Sequence, residues 1–239
     1  MQSLKAIFLF TALGMTGMGS ATAGDLNNIG SLGQSDFLRL SKDLGAVISY
    51  KGVTPATPLG LVGIDIGAEL TTTQLESKSI FTQAGGSSSS GVIVPKLHVH
   101  KGLPGGLDVG GFISKVNDAN ISLFGLEARY ALLDDGVTTP AVGLRVAGTK
   151  ETGVSQIDLS TLSFDVVVSK KLTFITPFAG LGTVQVKSKP NVGGLAEEKF
   201  NQSRVFAGIN ANFALINVAV EAEKQGDNTS LSAKAGFRF

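Results

Sequence analysis

The chain contains no cysteine, which excludes disulfides and thiolate chemistry. It also has no tryptophan, two tyrosines and two histidines among 239 residues. Tryptophan and tyrosine are the usual residues at membrane interfaces, so their scarcity argues against a membrane protein unless the 14 phenylalanines substitute for them. Twenty basic side chains against nineteen acidic ones leave no net charge of the kind that attracts nucleic acid.

Long hydrophobic runs are also absent beyond residue 23. No later stretch approaches the roughly 20 apolar residues that a spanning helix needs, so a helical membrane protein is excluded. The chain has 31 glycines, seven prolines and many valines, isoleucines, leucines, threonines and serines, a composition typical of twisted strands. The length permits one all-β domain, which leaves a transmembrane barrel, a soluble sandwich or a soluble barrel.

The first 23 residues have the three parts of a secretory signal peptide. Met1–Lys5 is short and positively charged, Ala6–Met18 is mostly apolar, and Ser20–Ala23 has the small residues of a cleavage site. We therefore expect residues 1–23 to be removed after Ala23. The alternative is a membrane anchor, but the apolar run is too short to span a bilayer.

Residues 24–60 form an N-terminal lead to the repetitive part of the chain. Its residues 36–44 have apolar side chains near helical spacing, which predicts a short amphipathic helix ended by Gly45. Residues 46–51 are a candidate strand, which we expect inside the barrel lumen or at its rim. A Pro/Gly-rich turn follows.

Residues 61–239 alternate between apolar and polar side chains in ten segments, each near the 9–11 residues of a membrane-spanning strand. Barrels in bacterial outer membranes favour even strand counts, so we expect ten strands, with twelve as the main alternative. The links alternate between short turns and a set that includes two long polar loops, 74–91 and 187–201. This alternation is typical of periplasmic turns and external loops.

The last segment shows the pattern most clearly. One face of the strand is apolar up to the final residue, and the other carries serine, glycine, lysine and arginine. A transmembrane barrel can expose such a face to lipid, because its last strand pairs with its first. The apolar face consists of Leu231, Ala233, Ala235, Phe237 and Phe239.

Thirteen charged side chains lie on the opposite, polar faces of the ten segments. A charge facing lipid at mid-bilayer costs about 2–4 kcal/mol, so these residues are expected to line the lumen. They comprise seven acids against six bases, a near balance that favours ion pairing across a narrow interior over a one-sign selectivity filter. The candidates, with the two histidines, are Asp65, Glu69, Lys96, His98, His100, Asp108, Glu127, Arg129, Arg145, Asp165, Arg204, Glu221, Glu223, Lys234 and Arg238.

The two histidines are the only candidates for site chemistry. Their i, i+2 spacing on a strand places both imidazoles on one face beside Lys96. Two ligands make an incomplete metal site and the lysine repels a cation, so we expect a polar lumen-lining role. We expect no metal, no cofactor and no catalytic residue, since no nucleophile motif such as Gly-x-Ser-x-Gly is present.

The signal peptide, the alternating segments and the closing Ala-Gly-Phe-Arg-Phe239 resemble the outer-membrane β-barrel proteins of Gram-negative bacteria. The resemblance implies an outer-membrane location and recognition of the C-terminal strand by the barrel-assembly machinery. The N-terminal helix and the passage at 49–67 are similar to those of long-chain fatty-acid transporter-type barrels. In that family an N-terminal segment plugs the lumen and hydrophobic molecules pass through.

The sequence therefore predicts a single all-β, antiparallel transmembrane barrel of about ten strands in contact with outer-membrane lipid. The first expectation for function is passage or binding of small or amphipathic molecules through a narrow, partly plugged lumen. The alternatives are a structural or adhesion-type barrel that displays external loops, and a lipid-modifying outer-membrane enzyme. No nucleic-acid partner is expected.

Overall fold

The structure, a computed structural model, describes residues 26–86, 91–116 and 121–239. The expected signal peptide, its cleavage after Ala23 and residues 87–90 of the predicted loop 74–91 lie outside these residues. The described part contains two α-helices, α1 (Gln34–Ile48) and α2 (Lys78–Gln83), and two short 3-10 helices. Its strands are β1 (Ile64–Gln74), β2 (Gly91–Gly102), β3 (Leu107–Val116), β4 (Ile121–Leu133), β5 (Ala141–Thr152), β6 (Ile157–Ser169), β7 (Ile175–Pro190), β8 (Glu198–Phe213), β9 (Ile216–Gln225) and β10 (Asn228–Arg238).

The ten strands form a closed antiparallel barrel in which each strand pairs with its neighbours in sequence. β1 pairs with β10 and closes the ring, with Ile66 opposite Phe237 and Leu70 opposite Ala233. The predicted fold class and the count of ten strands are confirmed. Links 103–106, 134–140, 170–174 and 214–215 lie at one end of the barrel, here the turn end. Links 75–86, 153–156, 191–197 and 226–227 lie at the other, here the loop end.

The two faces of the wall differ as the alternation predicted. In β6 every second residue from Ile157 to Ser169 is buried, and most of the residues between them are exposed. Exposed apolar side chains cover the outside of the barrel, among them Leu70, Leu97, Phe124, Leu144, Phe164, Val205, Val220 and Leu231. A bilayer is the solvent that stabilises such a surface, and closure leaves no unpaired strand edge at the seam.

Helix α1 is longer than predicted and begins earlier. It runs for 15 residues, its N-cap residue is Gly33, and Gly45 lies inside it rather than ending it. The candidate strand at 46–51 is wrong, because its first three residues complete the helix. Phe37, Leu40, Leu44 and Val47 form one apolar stripe, all of it buried against the barrel interior. No helix in the described ranges is long and apolar enough to cross a membrane.

The predicted external loops are more structured than expected. The link after β1 contains helix α2, and the predicted loop 187–201 is reduced to residues 191–197. The reduction arises because β7 and β8 each extend for 16 residues and remain paired as far as Ser188 and Glu198. Polar residues of the predicted loop therefore belong to strands.

Aromatic residues are divided between the two faces of the wall. Phe174 and Phe213 are exposed at the turn end with ring centroids 5.6 Å apart, and Tyr130 is half exposed. Phe112 and Phe178 instead point into the lumen and are buried. Phenylalanine therefore contributes to the outer surface and also fills the interior.

Candidate functional site in the barrel lumen

Residues 26–63, here the N-terminal segment, pass through the lumen from the loop end to the turn end. At the loop end the Asn28 amide donates a hydrogen bond of 3.0 Å to the Ala84 carbonyl. At the turn end the Ala56 amide donates one of 3.0 Å to the Ser169 hydroxyl, on the last residue of β6. Between these points the chain is enclosed by the ten strands.

Helix α1 is fixed to the loop end by a buried carboxylate. Asp43 accepts hydrogen bonds of 2.8 Å from the Asn228 side chain and 2.8 Å from the Ser77 amide. These bonds connect the helix to the first residue of β10 and to the link after β1. Burial raises the pKa of Asp43 above its ordinary value, against the lowering effect of both hydrogen bonds.

Below the helix, the segment runs alongside β9. Every second residue from 49 to 53 bonds to an inward-facing residue of that strand, because both backbones are extended and share a period of two. From the loop end, the pairs are Ser49 with Gln225 at 2.7 Å, Lys51 with Glu223, and the Val53 amide with Glu221 at 3.2 Å.

Lys51 is the central residue of these contacts. Its side chain is completely buried and its ammonium group forms an ion pair with Glu223. The same group donates hydrogen bonds of 3.0 Å to the Ala46 carbonyl and 2.7 Å to the Ser49 hydroxyl. All three of its donors are therefore satisfied, as a charge removed from water requires.

A second set of ion pairs runs along the inner wall from β5 to β8. Asp165 accepts hydrogen bonds from Arg145 at 2.9 Å and from Arg204 at 3.0 Å. Arg204 also donates one of 2.7 Å to the backbone carbonyl of Tyr50. The wall residues thus bind the segment through its backbone as well as through Lys51.

The histidines lie on the opposite wall, with stacked rings 5.7 Å apart. His98 Nε2 is 2.6 Å from Glu69 Oε2, and His100 Nε2 is 3.2 Å from Glu127 Oε1 and 3.1 Å from the Tyr50 hydroxyl. Glu69 also forms an ion pair of 2.7 Å with Lys96, so the histidines belong to the same buried network.

This arrangement does not form a catalytic triad within the described residues. The Nδ1 atoms of His98 and His100 have no hydrogen-bond partner there, and no described serine hydroxyl bonds to either ring. In the same part of the chain, no group of three or more histidine, aspartate or glutamate side chains is placed to hold a metal ion.

At the turn end two hydrogen bonds hold the segment to the wall, and a separate ion-pair cluster lies within the wall itself. Arg129 bonds to the Thr54 hydroxyl, and Asp108 accepts a hydrogen bond of 3.1 Å from the Leu59 amide. This ion-pair cluster connects β1 to β10 across the seam. Asp65 of β1 is 3.3 Å from Lys234 and 2.8 Å from Arg238, both on β10.

The structure brings the sequence-predicted site residues together in the lumen. Arg129 and Arg238 are partly exposed, with 11% and 18% of their side chains accessible. Their fully buried companions are Asp65, Glu69, Lys96, His98, His100, Asp108, Glu127, Arg145, Asp165, Arg204, Glu221, Glu223 and Lys234. The sequence did not single out Lys51 or Tyr50, although it placed residues 46–51 in the lumen or at its rim.

Lys51 adds a cation to the charged layer of the lumen. The charged wall residues predicted from the sequence are seven carboxylates and six lysines and arginines, and Lys51 makes seven cations there. Because an unpaired buried charge is costly, this cation helps to neutralise the layer; two further buried carboxylates, Asp43 and Glu151, lie nearer the loop end.

Nearer the loop end the lumen changes from charged to apolar. Leu44 and Val47 of α1 pack there against side chains such as Val94, Leu123 and Leu159. The packing leaves an internal cavity of about 50 Å³. The lumen therefore has an apolar layer around the helix and a charged layer around the extended part of the segment.

No protein-family model matches the chain, and no curated protein matches it. Among solved structures, it is similar to the N-terminal β-barrel domain of Pseudomonas aeruginosa OprF, at 13% identity and a TM-score of 0.40, over 75% of this chain and 99% of that one. It is also similar to the translocator domain of the autotransporter NalP from Neisseria meningitidis, at 11% identity and a TM-score of 0.42, over 84% and 94%. A third is the outer membrane protease OmpT from Escherichia coli, at 9% identity and a TM-score of 0.37, over 74% and 95%.

At these values no residue role is transferred, and the assignment of class rests on the strand order, the closed register and the two faces of the wall. The chain has the outer-membrane type of β-barrel fold, with ten strands, an apolar outside, and an interior divided into a charged layer and an apolar layer. Its distinguishing feature is an N-terminal segment that fills the lumen and is paired with the wall.

Proposed function

We propose that the protein is a bacterial outer-membrane barrel that binds small or amphipathic molecules and lets them pass when the N-terminal segment leaves the lumen. The observation that carries the proposal is the row of matched contacts between residues 49–53 and β9. The loop end would face outward and the turn end the periplasm. The strand face from Leu231 to Phe239 would be the part that the assembly machinery recognises.

The layered lumen supports a role for amphipathic molecules. A ten-stranded barrel has a narrow interior, so a solute and the segment cannot occupy it together. Displacing the segment would leave an apolar layer at the loop end and a charged, hydrated layer below it. A molecule with an apolar part and a polar part matches that order. The display barrel and the lipid-modifying enzyme stay predictions of the sequence alone.

The proposal is tested by locking the segment to the wall. Because the chain has no cysteine, the pair Ser41→Cys in α1 and Ser188→Cys in β7, whose hydroxyls are now 2.8 Å apart, can form one disulfide on oxidation. In proteoliposomes we expect solute flux from the reduced variant, loss of that flux on oxidation, and recovery when reductant is added.

The matched control is a disulfide within the wall. Thr73→Cys and Ser230→Cys join β1 to β10 where the two hydroxyls are now 2.9 Å apart, and leave the segment free. Flux should survive oxidation of this control. Absence of flux from the reduced forms, or equal flux from the locked and unlocked segment, would contradict the proposal.

A further inference from the structure

One pair of neighbouring strands separates before it reaches the loop end. The pairing of β2 with β3 ends at Leu97 opposite Ile113. On their other sides both strands remain paired further, β2 with β1 as far as Gly91 and β3 with β4 as far as Val116. Pro95 lies just beyond the last pair, and proline has no amide hydrogen to donate to a ladder. The loop-end half of the wall therefore contains a cleft.

On the outer surface the cleft opens into a groove of about 1,070 Å³ that crosses the seam. Small side chains form the floor of the groove, and larger apolar side chains on either side of it project into lipid. The small residues are Ala68, Pro95, Ala233 and Ala235, and the larger ones include Leu97, Ile113 and Phe124. Its shape and apolar surface suit a hydrocarbon chain lying across the strands.

Five inward-facing residues also line the groove: Glu69, Lys96, Ser114, Leu123 and Lys234. Leu123 lines both the groove and the apolar layer of the lumen. Ser114 is 93% buried, since 7% of it is exposed, and its hydroxyl has no hydrogen-bond partner among the described residues. An unpaired buried hydroxyl is unfavourable unless a ligand supplies the partner. An oxygen acceptor in the cleft would satisfy it.

A cation stands where the cleft meets the loop end. Lys115 lines the groove and is exposed on the lipid-facing side, and its ammonium group bonds to none of the described residues. Lys150, opposite Phe124 on the next strand, adds a second exposed positive charge nearby. Lysines near the end of a spanning strand lie at headgroup depth, where they attract anionic lipids.

We propose that this groove is a binding site for one acyl chain of an anionic lipid from the leaflet at the loop end. The chain lies over the small residues, Lys115 pairs with the headgroup, and the Ser114 hydroxyl donates to an ester oxygen. A lipid is a better occupant than a second copy of the barrel, because the site joins a groove that fits an acyl chain to a positive charge at the depth of the headgroups. The inference needs the barrel to lie in a bilayer but does not need any solute to pass through it.

The absence of tryptophan makes a direct test available. Phe124→Trp places one fluorophore at the groove, and Phe164→Trp places one on the opposite face at almost equal exposure, 53% against 50% in the native side chains. Each variant is reconstituted in vesicles that contain either phosphatidylglycerol or phosphatidylcholine with the same brominated chains, which quench tryptophan on contact. We expect the anionic lipid to quench Phe124→Trp at several-fold lower mole fraction, and the two lipids to quench Phe164→Trp equally.

Two substitutions on the outer surface of the Phe124→Trp variant separate charge from shape. Lys115→Gln should remove the preference for phosphatidylglycerol but keep quenching by both lipids. Lys224→Gln, which changes an exposed lysine of β9 outside the groove, should leave the preference intact. Equal quenching of Phe124→Trp by the two lipids would overturn the inference, as would a preference that survives Lys115→Gln. Protection of Phe124→Trp from both lipids would also overturn it, because a second copy of the chain would then cover the groove.

Discussion

Lys51 shows how one residue of the N-terminal segment is held by the barrel. Its ammonium is fully buried and is neutralised by Glu223, which lies 172 residues away in the sequence. Alternation identified Glu223 as inward-facing, because strand periodicity is local. No local pattern marks Lys51, because its burial depends on where the segment enters the closed barrel. The sequence therefore predicted the wall residues of the site and missed the residue that completes them.

Replacing Lys51 should be strongly destabilising. Lys51→Met keeps the length of the side chain but removes the nearer cation of the buried Glu223, which leaves this carboxylate only its 3.5 Å ion pair with Arg204. Removal of one partner of a buried ion pair costs about 3–5 kcal/mol, so we expect a loss of that order in the free energy of unfolding. The measurement is urea-induced unfolding of the barrel in phospholipid vesicles.

The controls for this prediction use the same helix and the same ion pair. Lys42→Met, at an exposed position of α1, should change the free energy of unfolding by less than about 0.5 kcal/mol. Lys51→Met combined with Glu223→Leu should recover much of the lost stability, since the under-neutralised carboxylate is gone and Arg204 keeps its ion pair with Asp165. A Lys51→Met variant as stable as the native chain would show that the pair is not buried.

At the scale of the element, the end of helix α1 was predicted wrongly because of a glycine. Gly45 follows the predicted helix 36–44 and has the composition of a helix end, yet the helix continues to Ile48. The structure gives a packing reason: a Cβ at Gly45 would lie 2.6 Å from a methyl of Val186 in β7. The glycine lets the helix approach the wall closely, and this contact is invisible in sequence because Val186 belongs to a distant strand.

A side chain at position 45 should therefore destabilise the helix in its site. Gly45→Ala raises intrinsic helix propensity by about 1 kcal/mol, but overpacking against Val186 costs about 1–3 kcal/mol. We expect a net loss in the free energy of unfolding. The matched test adds Val186→Ala, which removes both methyls: the double variant should lose less stability than the sum of the two single variants. Additive effects would mean that the two residues are not in contact.

At the scale of the whole molecule, the barrel was predictable because each of its strands carries the same two-faced pattern. The sequence indicated ten strands and their faces, and the structure has both. The prediction of a long loop at 187–201 was wrong, because many of its polar residues belong to the ends of β7 and β8, which extend past the neighbouring strands. The break between β2 and β3 could not be read from alternation, since Pro95 and Lys115 fit the outward-facing positions of an unbroken strand.

Closure of the ring between β1 and β10 is testable with a covalent link. Leu70 and Ala233 are direct partners on the lipid face, and the chain has no other thiol to compete. Leu70→Cys with Ala233→Cys should oxidise to a disulfide that closes a large loop, so the unfolded, non-reduced chain should migrate faster on a denaturing gel than the reduced one.

The control for closure pairs Leu70→Cys with Val166→Cys, another outward-facing residue on β6, which is not adjacent to β1. This variant should show no mobility difference between oxidised and reduced samples. Equal mobility of the oxidised and reduced Leu70/Ala233 variant would mean that the first and last strands do not meet as the register requires.

The route of the N-terminal segment imposes an order on how the molecule comes together. The segment is encircled by a ring that joins only where the first strand meets the last. Either the strands fold around the segment before that junction forms, or the segment must be threaded through a closed barrel whose inner wall carries the charges that pair with it. The first route avoids drawing the apolar stripe of helix α1 from the turn end through the charged layer of the lumen, where it would separate buried ion pairs. Closure between the first and last strands is therefore the favoured last step of assembly, and the strands fold around the N-terminal segment before that step.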